Sequence, residues 1–185
     1  MSEFVHLGDQ EVHRGYLWSV AVGAFRSPDG VEFNRDIVRS PGAVGVVALL
    51  FDPEGQASVV IVEQYRPALD TTLIEIPAGM RDVDGESPEA TAARELAEEA
   101  GLRAGTLSRL GELHPSPGMT DSSTIIYLAT GCEPTEQDLQ GPEEDHLEVV
   151  HLPLTEAISM VLDGRITDAK SVIGLLMAER ELGRR

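Results

Sequence analysis

Two long apolar runs constrain the fold of this chain more than any other feature. Residues 44–51 and 58–62 are almost entirely aliphatic, and the turn sequence Asp52-Pro53-Glu54-Gly55 separates them. Apolar runs of this length between turn residues are typical of strands buried inside a sheet. Shorter segments predict further strands of the same sheet, which we expect to be mixed: 73–76, 123–129 and 147–152.

Three helices are predicted beside this sheet. Ser87-Pro88 supplies an N-cap followed by proline at the first helical position, and Gly101 supplies the C′ residue of a helix over 88–100. Helical spacing predicts a second helix over 155–164 and a third from 167 or 168 to about 182. Helices that flank a mixed sheet predict an α/β/α sandwich.

The first 40 residues have a different pattern. Residues 16–25 and 31–38 alternate around the turn Ser27-Pro28-Asp29-Gly30, which predicts an antiparallel β-hairpin, and Ser40-Pro41-Gly42 then breaks the chain. A hairpin alone has little core, so it must pack on the rest of the chain or on a second subunit. We therefore expect an N-terminal β region over 1–40 and a main domain over 41–185.

The charge of the chain is strongly negative, since 32 acidic residues face 14 basic ones for a net charge of −18. Nucleic acids and anionic membranes are therefore poor candidates as partners. A phosphate substrate would also be repelled unless metal ions and a few arginines reverse the field locally, which favours a metal site. Cys132 is the only cysteine, and we expect a cytoplasmic protein because no signal-peptide pattern or spanning apolar stretch is present.

The predicted helix over 88–100 is acidic on one face. Glu95, Glu98 and Glu99 stand at positions i, i+3 and i+4, so their carboxylates project together and repel one another. A hard divalent cation with oxygen ligands would relieve that repulsion, whereas the alternative is an ordinary solvated acidic surface. Glu86 before the helix and Arg94 inside it make the pattern more specific than three glutamates alone.

These residues match a known signature. Glu86, seven further residues and then Arg94-Glu95-Leu96-Ala97-Glu98-Glu99-Ala100-Gly101-Leu102 resemble the signature of the Nudix hydrolases, with one departure. Six residues separate Gly79 from Glu86, where the usual pattern has five. The extra residue falls in the loop 80–85 and leaves the helical spacing of the carboxylates unchanged.

The resemblance implies roles for the residues of the signature. Glu95, Glu98 and Glu99 would bind magnesium, with manganese as an alternative, and the Ala78 carbonyl would be a further ligand; Glu98 is also expected among the catalytic residues. Glu86 and Arg94 would brace the loop and the helix.

Several segments outside the signature resemble the ADP-ribose pyrophosphatase branch of the family. They are Ser40-Pro41-Gly42-Ala43-Val44, Glu63-Gln64-Tyr65-Arg66-Pro67, Glu75-Ile76-Pro77-Ala78-Gly79, Ser116-Pro117-Gly118 and Asp168-Ala169-Lys170. This resemblance implies that Arg66 and Gly118 contact the substrate. On a late acidic loop, it implies Glu143 as general base with Glu144 as its rival, and Asp145 as an extra metal ligand.

The implied reaction is hydrolysis of ADP-ribose to AMP and ribose 5-phosphate by a homodimer. The alternatives are another nucleoside diphosphate derivative, such as a nucleotide sugar or flavin adenine dinucleotide, and a Nudix-like module that senses a nucleotide without cleaving it. The intact set of Glu95, Glu98 and Glu99 argues against the sensor. Relatives often place a glutamate where Ser122 falls, and this chain offers Asp121 one position earlier.

Overall fold

A computed structural model describes residues 3–139 and 146–184 of the chain. These residues form two compact units. The first unit combines the chain up to Gly42 with His114–Ser123, and the second combines Ala43–Leu113 with the chain from Thr124 onward. The division into a β region over 1–40 and a domain over 41–185 stays a prediction.

The first unit contains a three-stranded antiparallel sheet in the order β1-β2-β3. Its strands are β1 (Val5–Arg14), β2 (Ser19–Arg26) and β3 (Glu32–Arg39). The predicted hairpin is confirmed as β2 and β3. The sequence did not predict β1, because all ten of its residues are exposed and it contains no apolar run like those of the central strands.

The second unit is built on a seven-stranded mixed sheet, as predicted. The path β12-β5-β4-β10-β9 is antiparallel except for β10 beside β4, while β6 pairs with β5 and β7 with β4. The strands are β4 (Ala43–Phe51), β5 (Ala57–Arg66), β6 (Thr71–Glu75), β7 (Ala78–Met80), β9 (Thr106–Leu113), β10 (Thr124–Thr130) and β12 (Glu148–Pro153). Two short strands, β8 (Leu102–Arg103) and β11 (Glu133–Pro134), pair separately.

Three helices accompany this sheet: α1 (Pro88–Ala100), α2 (Leu154–Leu162) and α3 (Ala169–Leu182). The caps of α1 are those predicted, since Ser87 accepts from Ala90 N–H and Gly101 adopts the left-handed conformation at φ 61°. Asp168 caps α3 by accepting from Ser171 N–H. Within the described residues, no helix has both the length and the apolar character needed to cross a membrane.

Each face of the sheet carries its own apolar core. Val47 and Leu49 of β4 belong to a cluster with buried residues of α2 and α3, whereas Val46 of β4 belongs to a cluster with Leu96 of α1. Because neighbouring residues of β4 point into opposite cores, both faces of the strand are buried and its sequence is continuously apolar. The α/β/α sandwich is therefore confirmed.

The central sheet splits where the candidate site lies. β4 pairs with β5 through residues 48–51, and toward its start it pairs with β7 instead, while β5 pairs with β6 beyond Val62. Strands β6 and β7 thus fill the gap between the two diverging central strands. The Ile76-Pro77 connection is held inside this gap, because Val46 N–H donates to the Pro77 carbonyl at 2.8 Å.

Candidate active site

The acidic face of α1 is turned toward the protein and not toward solvent. Glu95 is 7% exposed and Glu99 is 2% exposed, while Glu98 is half-buried. A solvated acidic surface, the alternative considered from the sequence, does not describe Glu95 and Glu99. Buried carboxylates need nearby cations or hydrogen-bond donors, since an uncompensated charge is costly in the protein interior.

Arg94 gathers the carboxylates around its guanidinium. Its Nη1 donates to Glu95 Oε1 at 2.6 Å and to Glu98 Oε2 at 2.9 Å, and its Nη2 donates to Glu86 Oε2 at 3.1 Å. Burial lowers the pKa of Arg94, but the bonds to Glu86 and the charges of Glu95 and Glu98 outweigh it and hold the pKa above its usual value. The hydrogen bond from Arg94 likewise lowers the pKa of Glu86.

Glu99 joins α1 to the loop that enters the site. Its Oε2 accepts from the backbone N–H of Ala78 at 2.8 Å, so the first residue of β7 is tied directly to the helix. In the last turn of α1, the Gln137 side chain donates to the Glu99 carbonyl and Asp138 N–H donates to the Glu98 carbonyl. Sequence reasoning missed this second attachment, because the segment before the late acidic loop carries no recognisable motif.

Because Gly79 has no side chain, the carboxylate of Glu95 can lie against its backbone. A Cβ atom built on Gly79 would lie 2.0 Å from Glu95 Cδ, a distance at which the carboxylate would have to move. Glycine at this position therefore permits the close approach of the Glu95 carboxylate to the backbone. Gly79 and Glu95 belong to the same signature, and the contact explains why the glycine stands at its start.

The donor set suits a divalent cation. Glu86, Glu95, Glu98 and Glu99 carry four negative charges, and Arg94 offsets only one of them. Carboxylate oxygens are the ligands preferred by magnesium and calcium, and Glu95, Glu98 and Glu99 with the Ala78 carbonyl could hold such an ion. In the described part of the chain, however, no three His, Cys, Asp or Glu side chains already form a ligand group, and Arg94 is the cation that contacts Glu95 and Glu98.

Two buried polar atoms of the second unit, near the ends of β5 and β7, have unsatisfied hydrogen-bonding capacity in the part of the chain that the structure describes. Gln64 Oε1 and Arg81 Nε are buried and have no hydrogen-bond partner among the described residues. Gln64 stands two positions before Arg66 on β5, so both side chains leave the same face of the strand, and Arg81 directly follows β7. Buried polar atoms normally find a partner, so both are suited to meet a ligand or a bound water.

Arg66 is held by a buried carboxylate that the sequence did not single out. Its Nε and Nη2 donate to the two oxygens of Glu75 at 2.8 and 2.6 Å, while 37% of the Arg66 side chain remains exposed. Lys170 donates to the same Glu75 Oε2 and lies 3.0 Å from Asp168. Burial raises the pKa of Glu75, but the bonds from Arg66 and the charge of Lys170 more than offset it, so the pKa lies below its usual value.

A second link joins the start of α3 to Ile76, the residue that follows β6. Ser171 is fully buried, and its Oγ accepts from Ile76 N–H at 2.8 Å and donates to Asp168 Oδ2 at 2.6 Å. One signal for this arrangement was present in the sequence. Lys170, the only lysine, falls in the first turn of a helix, where a cation opposes the helix dipole and needs a nearby carboxylate.

The remaining predicted residues either belong to the first unit or fall outside the described part of the chain. Gly118 belongs to the first unit, where it is exposed and lines a cavity of about 450 Å³ together with Phe25, Phe33 and Arg35. Asp121 of that unit accepts from Arg39 Nη1 and from Ser40 N–H, each at 3.0 Å. Three further residues fall outside the described residues: Glu143, Glu144 and Asp145.

Comparisons with known proteins agree with this geometry. The family model described as the NUDIX domain matches residues 41–173, which include α1, Arg66 and the start of α3. The chain belongs to the Nudix family. It is 35% identical over 174 residues to the ADP-ribose pyrophosphatase of Mycobacterium tuberculosis, covering 94% of this chain and 82% of that protein.

Other relatives of this Nudix hydrolase carry different names. A methanol dehydrogenase activator of Bacillus methanolicus is 34% identical over 90% of this chain and 87% of that protein. A GDP-mannose pyrophosphatase of Yersinia pestis is 34% identical over 73% of this chain and 70% of that protein. The crystal structure of an ADP compounds hydrolase matches the fold with a TM-score of 0.83 and 24% identity, covering 98% of this chain and 95% of that one.

Membership of the family establishes the class of reaction. The chain is a Nudix hydrolase, and such hydrolases act on small nucleotide diphosphate compounds and generally need a divalent metal. The roles of individual residues stay predictions at this point.

Replacement of Gly79 by alanine should displace Glu95. We expect Mg²⁺ affinity, measured by calorimetric titration, to fall roughly 10- to 100-fold, the usual cost of disturbing the surroundings of a metal ligand. Gly183→Ala is the matched control, because its backbone is helical at φ −68° and its Cβ would meet nothing closer than 3.6 Å. Unchanged affinity in Gly79→Ala would show that the contact between Gly79 and Glu95 does not position a metal ligand.

Glu75→Gln should destabilise the protein in a pH-dependent way. Because the folded pKa of Glu75 is depressed, its stabilisation is fully present above the unfolded value of 4.5 and is lost as pH falls through the folded pKa. Urea unfolding at pH 7 should show a loss of about 3 kcal/mol, since Arg66 and Lys170 lose a buried partner. The difference from the native protein should shrink below pH 4.5.

Glu133→Gln provides the control for that measurement, because both side chains of the ion pair between Glu133 and Arg103 are exposed to solvent. We expect little change in stability from it at either pH. An equal loss from Glu75→Gln at pH 7 and pH 3 would contradict an ionised, buried Glu75.

Proposed function

We propose that this Nudix hydrolase cleaves ADP-ribose to AMP and ribose 5-phosphate in the presence of Mg²⁺, with Mn²⁺ as an alternative ion. The observation that carries the proposal is the attachment of the buried Glu99 to Ala78, within one unit that also contains Arg66. It supports a site that combines a carboxylate face for a metal with a guanidinium for a diphosphate. The similarity to an ADP-ribose pyrophosphatase over 94% of the chain supports the choice of substrate.

The residues proposed to hold the metal are Glu95, Glu98 and Glu99, with the Ala78 carbonyl and Asp145 as further ligands. The ion, when bound, supplies positive charge that neutralises and polarises a diphosphate group. Arg94 keeps the carboxylates of Glu95 and Glu98 oriented through the contacts described above. Glu86 in turn orients Arg94.

The other proposed roles belong to Arg66, Glu143 and Gly118. Arg66 binds the diphosphate, because its planar guanidinium is part-exposed and matches phosphate oxygens with paired hydrogen bonds. Holding the diphosphate in this way aligns the attacking and leaving oxygens. Glu143, with Glu144 as the alternative, accepts the proton of the attacking water, and Gly118 is a second contact for the substrate.

We further propose that the protein is a homodimer formed through its N-terminal β region. All ten residues of β1 are exposed, and large apolar side chains of the first unit face solvent. Tyr16 is 99% exposed, and Trp18, Phe4 and Val12 are each more than half exposed. Clusters of exposed apolar side chains of this kind usually mark an interaction surface.

A nucleotide sugar is the second candidate substrate, because a GDP-mannose pyrophosphatase is 34% identical to this chain. Flavin adenine dinucleotide is a further possibility with the same diphosphate linkage. All three share the diphosphate that Arg66 and the metal would bind, and they differ only in the groups on either side of it.

Turnover of a substrate panel with and without Mg²⁺ tests both the substrate and the metal site. We expect ADP-ribose to be cleaved fastest among ADP-ribose, nucleotide sugars, dinucleotides and nucleoside triphosphates. Glu99→Gln should lower kcat roughly 100-fold or more without unfolding the protein, since it removes a charged metal ligand. Glu89→Gln, an exposed glutamate on the same helix, should leave kcat unchanged.

Two results would count against these assignments. Faster cleavage of a nucleotide sugar than of ADP-ribose would transfer the proposal to the second candidate. Full activity of Glu99→Gln would remove Glu99 from the metal site.

The proposed dimer is tested by light scattering at micromolar protein concentration, where we expect twice the mass of 19.9 kDa. Replacement of Val12 and Trp18 by serine should favour the monomer, because it removes apolar area from the proposed interface. Leu162→Ser is the control, since Leu162 is 77% exposed in the second unit. A native protein with the mass of one chain would refute the dimer.

A further inference from the structure

Lys170 occupies a position that its own helix disfavours. It is the second residue of α3, and a cation in the first turn opposes the helix dipole. Only 14% of its side chain is exposed, so water does little to compensate its charge. The carboxylates of Glu75 and Asp168, both of which Lys170 contacts, therefore compensate its positive charge.

Glu75 is the point where the two cations meet. Its carboxylate is almost completely buried, and Oε2 accepts from both Arg66 Nη2 and Lys170 Nζ. The negative charge of Glu75 is therefore shared between two cations. Without Lys170, Glu75 would be paired with Arg66 alone. Lys170 is covered while 37% of Arg66 is exposed, so Arg66 is the cation of this pair that can meet a ligand.

The charge balance makes the contribution of Lys170 explicit. Arg66 and Lys170 together offset Glu75 and Asp168, so the four groups sum to zero. Without Lys170 the sum becomes −1, within a unit that also contains the acidic face of α1. An anionic ligand approaching Arg66 would then meet net repulsion, although no residue in contact with it had changed.

The backbone holds this arrangement in one geometry. Ser171 fixes the start of α3 against Ile76, the residue that follows Glu75, through its bond to Ile76 N–H. Asp168 caps the same helix and contacts Lys170. Lys170 is thus brought to Glu75 by bonds that do not depend on any ligand.

We propose that Lys170 is a positioning residue that acts through Glu75 to orient Arg66 and to keep its positive charge available to the diphosphate of the substrate. The inference rests on the proposed role of Arg66 in binding a diphosphate. Lys170 itself does not touch the ligand.

The test measures the affinity of the whole protein for methylenediphosphonate, a diphosphate analogue that cannot be hydrolysed, by calorimetry at saturating Mg²⁺. Lys170→Met should weaken binding about tenfold, and Lys170→Arg should restore it to within about threefold, because it returns the charge. Arg165→Met is the matched control. It removes one positive charge from an exposed ion pair with Asp163 in the same unit and should leave the affinity unchanged.

A double-mutant cycle separates positioning from a general structural effect. If Lys170 acts through Arg66, Lys170→Met should change affinity less than about twofold once Arg66→Ala is present. A tenfold loss in both backgrounds, or no loss in either, would overturn the proposal. So would the absence of measurable binding to the native protein.

Lys170→Gln repeats the test if Lys170→Met does not fold, since it retains a hydrogen-bond donor near Glu75 and lacks the charge. The outcome is independent of the proposed substrate. The expected pattern of affinities in a protein that does not cleave ADP-ribose would support the positioning role and reject that substrate. Cleavage of ADP-ribose without the expected pattern of affinities would support that substrate and reject the positioning role.

Discussion

Three carboxylates buried beside the central sheet impose the constraint on which the candidate site depends. Glu75, Glu95 and Glu99 are each more than nine-tenths buried in a chain with a net charge of −18. An ionised carboxylate in such a place has to be compensated nearby, because bulk water cannot do so. The surrounding structure supplies that compensation in three different ways. Glu75 contacts two cations, Glu95 contacts Arg94, and Glu99 accepts from a backbone N–H.

The split of the sheet makes these contacts possible. Where β4 and β5 diverge, β6 and β7 enter the gap and bring Glu75, Ala78 and Gly79 between the helices on the two faces. Glu99 reaches this gap from α1, and Ser171 and Lys170 reach it from α3. The segment from Glu75 to Gly79 is therefore attached to the helices on both faces of the sheet.

Electrostatic balance also divides the charged groups of the second unit into two sets. The carboxylates around Arg94 exceed its charge, whereas the group around Glu75 is neutral and exposes an arginine. Under the proposed function, a metal ion offsets the excess negative charge of the first group, and a diphosphate pairs with the metal and with the exposed part of Arg66. The two groups therefore suit ligands of opposite charge, which is consistent with a metal-dependent hydrolase that acts on a diphosphate.

The sequence by itself determined the sandwich and its mixed sheet, the three helices and the family to which the chain belongs. These features follow from local patterns, namely apolar runs, helix caps such as Ser87 and Gly101, and glutamates at helical spacing. Only the tertiary structure decided that Glu75, Asp168 and Lys170 form one group with Arg66, since 95 residues separate Glu75 from Lys170 along the chain. It also decided the positions of β1 and β9. β1 is exposed and β9 half-buried, so neither carries an apolar run like those of the central strands, and each pairs with a neighbouring strand.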